Sequence, residues 1–399
     1  MRAGRAASAR GITGRWAKRR RPWRHPARPR ARPSLRPQPQ ARCRDRGRWP
    51  GATTLNFPDG TALPGLIDCH AHLMFDAGSD PVSTVLQSGD EDLLAGMVDR
   101  ARQLVGRGVT TVRDLGDRNG LAVRLRDMIG EGVVPGPRIL SATTPLTSPG
   151  GHCWFLGGGV EGEAAIRERV RENIRAGADV IKVMGTGGGL TKGGPEIWQT
   201  QFSERELRIV VEEAARAGLP VAVHAHGTEG IEVAVAAGVD TIEHCTWMAK
   251  DGGFDMREEL VAEIKAKGIH VCTATSPNWR GFADRVGPER AEQLFSSMRW
   301  MAAQKVPMIA GTDAGVTRAV FDQFTNTLEF YEYLGISNAG IIDMATTDAA
   351  RALRLGSKTG RLAAGYSADV LVVDGDPLSD LGALRDVRHV LAAGRSYTP

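Results

Sequence analysis

No stretch of this sequence holds the roughly 18 consecutive apolar residues of a membrane-spanning helix, so no membrane partner is expected. Cysteine is scarce: the five residues, at 43, 69, 153, 245 and 272, are scattered, odd in number and contain no C-x-x-C. A disulfide framework and a cysteine-based zinc site are both excluded on that count. A reducing cytoplasm is then the expected compartment. Acidic residues are almost absent from the first 50 positions, where sixteen Arg and Lys18 face Asp45 alone. The net charge of +5 is therefore carried by that segment, and residues 51–399 hold 34 bases against 45 acids, a net charge of −11. An acidic body does not attract nucleic acid, so only the tail could meet a polyanion.

The tail also lacks what would make it a signal. Arg19-Arg20 is followed by no apolar h-region, which removes a twin-arginine export reading. A transit peptide would be amphipathic and Ser-rich, whereas RRRPWRHPARPRARP (19–33) is dominated by Arg and Pro. Such text cannot bury enough apolar surface to fold alone. Residues 1–52 are expected to be either a disordered basic tail or non-native text from a wrong frame or start.

What is present from residue 62 onward is an alternation of short apolar strands with helical runs. The strand candidates are 62–73, 108–116, 137–143, 178–188, 219–227, 239–245, 268–276 and 306–315. Helical runs such as EEAARAGLP and EVAVAAGVD end in Gly, the residue that caps a helix in the left-handed conformation, and a strand follows within two residues. Apolar strands separated by helices indicate a parallel sheet buried on both faces. Eight such units predict an α/β fold, a (β/α)₈ barrel over residues 63–355. An open doubly wound sheet is the alternative. Residues 356–399 change pattern: ADVLVVDG and VRHVLAAGR read as strands of a small β-sandwich, separated by turn chemistry at Asp374-Gly375-Asp376-Pro377. Two or three strands alone are marginal, so their partners are expected from before residue 62, with 53–62 as the remnant of an N-terminal sandwich strand.

Polar residues collect at the strand ends, which is where chemistry sits in such barrels. His70 and His72 end the first strand as H-x-H and face one way, as do His224 and His226 on the fifth. His244 ends the sixth strand, Asp313 ends the eighth within GTDAG, Lys182 lies in the fourth, and His152 sits in the loop after the third. Singly, each reads more simply as a hydrogen-bonded core residue or a turn residue. Jointly, imidazoles, a lysine and a carboxylate on five strands suit zinc or a similar divalent ion.

On these motifs the sequence resembles the amidohydrolase superfamily. LPGLIDCHAHL (63–73) is similar to its opening metal strand, and IKVMGTGGG (181–189) to the lysine strand of one subgroup. That subgroup contains Xaa-Pro dipeptidases, carboxypeptidases for terminal basic residues and ochratoxin-type amidases. HAHG, IEHC, GTDAG and the text after TTDAARALRLG extend the likeness over about 55–399. The resemblance implies two divalent ions, zinc first among them. His70, His72 and Asp313 would hold one ion and His224 and His244 the other, with Lys182 carboxylated on Nζ as the bridge. It further implies Asp313 as general base and then acid, and His226 and His152 as substrate contacts, with His224 against His226 the least settled choice. The implied activity is hydrolysis of an amide or peptide bond in a small substrate, such as a dipeptide or N-acyl amino acid, by a metal-activated hydroxide. Cys69 and Cys245 read as small packing residues. The alternatives are a cyclic-amide hydrolase of the imidazolonepropionase kind and an inactive scaffold that acts by assembly; a homo-oligomer is compatible with any of them. One departure stands out: members normally begin with β-strands where residues 1–50 carry Arg/Pro-rich text, so the sandwich would lack its N-terminal strands and expose an edge.

Overall fold

The computed structural model describes residues 53–398; the reading of the basic tail concerns residues outside that range. The body from Phe57 onward begins with β1 (Gly60–Pro64) and continues with eight strands that run parallel to their neighbours. These are β2 (Leu66–Ala71), β3 (Val109–Asp114), β4 (Arg138–Ser141), β5 (Ile181–Met184), β6 (Val221–Gly227), β7 (Thr241–Met248), β8 (His270–Cys272) and β9 (Met308–Ile309). They form two arcs, β2-β3-β4 and β5-β6-β7-β8-β9. Backbone bonds stitch both seams. Cys69 N–H donates to Ala310 O at 2.9 Å and Asp313 N–H to His70 O at 2.8 Å on one side. On the other, Asp179 donates to Ser141 O at 2.8 Å and Leu146 to Lys182 O at 2.9 Å. The eight strands therefore make the (β/α)₈ barrel that the alternation predicts, not an open sheet.

The helix over Glu204–Arg216 illustrates how the sequence builds each unit. Ser203 and Glu206 form a reciprocal capping box at its start, worth about 1 kcal/mol. Leu207, Val210 and Ala214, at i, i+3 and i+7, turn its apolar stripe inward. Burying Leu207 and Val210 contributes roughly 1.5–3 kcal/mol each. Gly218, at φ +72°, lets the chain leave the helix and enter β6.

Two expectations are corrected in detail. The first strand candidate, 62–73, is not one strand: it divides at Gly65 into β1 and β2, which belong to different sheets. A side chain at position 65 would lie 2.1 Å from Thr110 Oγ1, so only glycine allows this close crossing. The candidates 268–276 and 306–315 are also longer than the observed β8 and β9, because the backbone leaves the ladder near Ala274 and Asp313, at φ +47° and +56°.

Beyond the barrel, β10 (Val370–Asp374), β11 (Val387–Ala392) and β12 (Arg395–Tyr397) form an antiparallel sheet with β1 in the order β1-β10-β11-β12. β1 runs against β10 from Gly60↔Asp374 to Pro64↔Val370. Leu371, Val373 and Val390 join the same apolar core as Leu104 and Val105 of the helix Asp90–Gly106, which fastens this sheet to the barrel.

Candidate active site

The mouth of the barrel gathers seven of the eight singled-out side chains around two clusters. In the first, Asp68, His70 and His72 alternate along β2 and its end, so all three face the barrel interior. His70 Nε2 lies 3.3 Å from His72 Nε2, and Asp313 Oδ1 lies 3.3 Å from the former and 3.4 Å from the latter. Gly311 makes the approach of the eighth strand possible, since a Cβ there would fall 2.8 Å from His70 Cβ. Asp68 pins both segments: it accepts from His70 N at 3.1 Å, Thr312 N at 3.1 Å and Thr312 Oγ1 at 2.6 Å. Burial pushes its carboxyl up to about 6 against those hydrogen bonds.

The second cluster joins β6 and β7. Ring centroids of His224, His226 and His244 lie 4.5–4.6 Å apart, with His226 stacked on His244. Strict alternation after Thr241 and Glu243, which both face the interior, would turn His244 outward. Left-handed φ values of +67° and +51° at His244 and Cys245 re-aim its ring into the mouth. Burial first, and neighbouring imidazoles second, hold His224 and His244 well below the usual histidine range, so both are neutral. Hydrogen-bond partners assign the tautomers. His224 Nε2 donates to Gly187 O at 3.0 Å, which leaves Nδ1 basic. Thr246 Oγ1 donates to His226 O at 3.0 Å and so accepts from His226 Nδ1–H at 3.0 Å, leaving Nε2 basic.

Lys182 sits in β5, beside β6, and is 1% exposed, with no hydrogen-bond partner on Nζ among the described residues. Burial lowers its amine to about 8, although the Glu243 carboxylate opposes the shift. His152 packs behind His224, ring centroids 4.7 Å apart, and does not line the cavity. It is held by Thr191 Oγ1, 3.2 Å from Nδ1, and by Gly188, where a Cβ would lie 2.4 Å from Nε2. Cys153 Sγ is 3.6 Å from His152 Nε2, which resembles a nucleophilic pair, but burial pushes that thiol up to about 12. A thiol that stays protonated is not a nucleophile.

The site opens into a cavity of about 360 Å³ whose polar floor includes His72, His224, His226, His244 and Asp313. One wall is apolar, built by Trp279, Phe282, Leu294, Phe295 and Met298, and Arg285 is the one lysine or arginine among the described residues that lines the cavity. Three groups of side chains among the described residues could hold an ion: His70/His72/Asp313, His224/His226/His244 and His70/Glu243/Cys272. Sequence reasoning missed Asp68, Arg113 and Glu243. Arg113 Nη2 pairs with Glu243 Oε1 at 2.8 Å, and Glu243 Oε2 meets His70 Nδ1 at 2.8 Å. The available signal was a charged residue inside an otherwise apolar strand, as in LIDCH, TTVRD and TIEHC.

A parallel barrel with imidazoles, a lysine and a carboxylate at its C-terminal mouth defines the class of (β/α)₈ hydrolases. Within that class, the chain belongs to the amidohydrolase family, whose model matches residues 61–396. It is similar to the ochratoxinase of Aspergillus niger, 29% identical over 378 residues covering 84% of this chain and 75% of that protein. It is also similar to a solved Xaa-Pro dipeptidase with bound methionine in the active site. There the identity is 30%, the TM-score 0.76, and the coverage 86% of this chain and 87% of the other. A more distant likeness is to the imidazolonepropionase of Anaeromyxobacter sp. (strain K), 25% identical over 86% of this chain and 82% of that protein. The chain is accordingly an enzyme that hydrolyses carbon–nitrogen bonds. No helix among the described residues is long and apolar enough to cross a membrane.

Proposed function

We propose that the enzyme cleaves the amide bond of a dipeptide or N-acyl amino acid, with two divalent cations, zinc by preference, at the barrel mouth. The observation that carries this reading is the triangle of His70 Nε2, His72 Nε2 and Asp313 Oδ1, with edges of 3.3, 3.3 and 3.4 Å. Ligands about 2.0–2.1 Å from a tetrahedral zinc ion stand about 3.3–3.4 Å from one another. The chemistry of the donors agrees, since imidazole nitrogens and a carboxylate oxygen suit zinc or a similar divalent ion. His224 and His244 would hold the second ion. Lys182 Nζ, buried without a partner among the described residues, suits carboxylation: its neutral amine would add to CO₂, forming an N–C bond and releasing one proton, and the carbamate would offer two oxygens that share one negative charge.

When bound, the ions would lower the pKa of a water molecule and polarise the scissile carbonyl. Everything else falls to the chain. Asp313 turns Oδ1 toward the two imidazoles, and the carboxylate takes the proton of the attacking water and delivers it to the leaving nitrogen. His226 would contact substrate from the cavity floor, whereas His152, packed behind His224, would bear on substrate only through that ring. The apolar wall and Arg285 suit a substrate that joins a bulky apolar group to a carboxylate, as N-acyl amino acids and dipeptides do. The ochratoxinase and dipeptidase likenesses support the same reading. The imidazolonepropionase likeness supports a cyclic-amide hydrolase instead; Lys182 and the second histidine of HAHG favour the first reading.

Metal analysis of the zinc-loaded protein, followed by a screen of N-acyl amino acids, dipeptides and cyclic amides, tests the proposal. Two ions per chain and turnover of linear amides are expected. One ion or none ends the binuclear reading, and turnover of cyclic amides alone transfers the assignment to the second.

A further inference from the structure

Beneath the site, a polar brace crosses the barrel interior from β3 to β7. Arg113 donates in three directions: Nε to Cys69 O at 2.6 Å, Nη1 to Thr241 Oγ1 at 3.0 Å and Nη2 to Glu243 Oε1 at 2.8 Å. Thr241 Oγ1 adds a 2.5 Å bond to the same Glu243 oxygen, and the other oxygen meets His70 Nδ1 at 2.8 Å. Both charged side chains are almost fully buried, at 2% and 0% exposure. Arg113 thus grips His70 twice, through the carbonyl of the preceding residue and through the carboxylate that holds the ring.

A buried ion pair is a poor way to stabilise a barrel, because the desolvation of two charges roughly cancels their attraction, and apolar side chains of equal volume would serve as well. The geometry has a more specific consequence. With Oε1 taken by Arg113 and Thr241, Oε2 accepts from His70 Nδ1–H, and His70 presents Nε2 to His72 and Asp313.

We propose that Glu243, clamped by Arg113 and Thr241, is a positioning residue that fixes the tautomer and ring orientation of His70 and so determines how tightly the His70/His72/Asp313 set holds a cation. The proposal rests on His70 being a ligand, as the function above requires. Only a planar guanidinium can serve the three acceptors at once; a lysine ammonium retains the charge but not the fork.

The test measures zinc affinity by competition with a chromophoric chelator, alongside the thermal transition of the chelator-treated protein. Glu243→Gln is expected to weaken zinc binding about 10- to 100-fold, the usual loss when the outer partner of a metal-bound imidazole is replaced. Arg113→Lys is expected to bind zinc more weakly than the parent, and Arg113→Met more weakly still. Unchanged zinc affinity in Glu243→Gln, with a lowered transition, would make the pair a structural brace and overturn the proposal. If that variant does not fold, Thr241→Val decides: it removes one bond to the same carboxylate oxygen, and an unaltered affinity there overturns the proposal equally. A parent protein that binds no zinc would instead discard the ligand reading of His70.

Discussion

His70 and Asp313 meet twice: the Asp313 backbone N–H donates to His70 O at 2.8 Å, and Asp313 Oδ1 lies 3.3 Å from His70 Nε2. The first contact joins the last barrel strand to the first, and the second assembles the candidate site, so barrel closure and site assembly are one event.

Asp313→Asn keeps the shape of this junction and removes the proton acceptor. A fall in kcat of about 10²-fold or more is expected, since general acid–base catalysis is worth 10²–10⁴. Zinc content must be followed in the same samples, because loss of metal would also lower the rate. Undiminished turnover at full occupancy removes Asp313 from proton transfer.

Lys182→Ala deletes the amine that lies buried without a partner among the described residues. Activity is expected to vanish and to return in part with added acetate or propionate, whose carboxylates can stand where the carbamate would. A fully active variant would reduce Lys182 to a structural role.

Arg285→Met leaves the apolar wall and removes its cation, which stands 5.3 Å from the Phe282 ring centroid. For substrates with a free carboxylate, KM is expected to rise about tenfold or more with little change in kcat, an order set by the roughly 1.5–3 kcal/mol worth of hydrogen bonds to charged groups. Their neutral amide counterparts serve as the control. An equal change for both classes would show that Arg285 shapes the wall without reading charge.

Asp117 offers a prediction on stability. Its Oδ1 is buried without a hydrogen bond among the described residues. Burial first, and the Asp114 charge second, push its carboxyl from 3.8 up to about 8. Between those two values the folded protein keeps a proton that the unfolded chain has released, so this group's contribution to stability falls as pH rises through that window. Asp117→Asn, which cannot ionise, is expected to show a flatter stability curve, its advantage over the parent growing from pH 5 to pH 8. Urea midpoints of the two proteins across that range decide the matter; parallel curves would mean that Asp117 is already ionised in the fold.

The sequence by itself determined the order of the barrel and most of the candidate site, because both rest on short-range periodicity. Strand alternation alone gives His70 and His72 a common face, and likewise His224 and His226, and glycine-ended helices mark out most of the eight units. Tertiary structure decided what depends on meeting across the closed barrel. The break at Gly65 follows from Thr110, a residue of the neighbouring strand. The aim of His244 follows from a left-handed backbone that alternation cannot foresee. The place of Glu243 follows from Arg113, which β3 brings across the interior to pair with it, since a charge buried in an apolar strand is tolerated only when a distant segment supplies its partner.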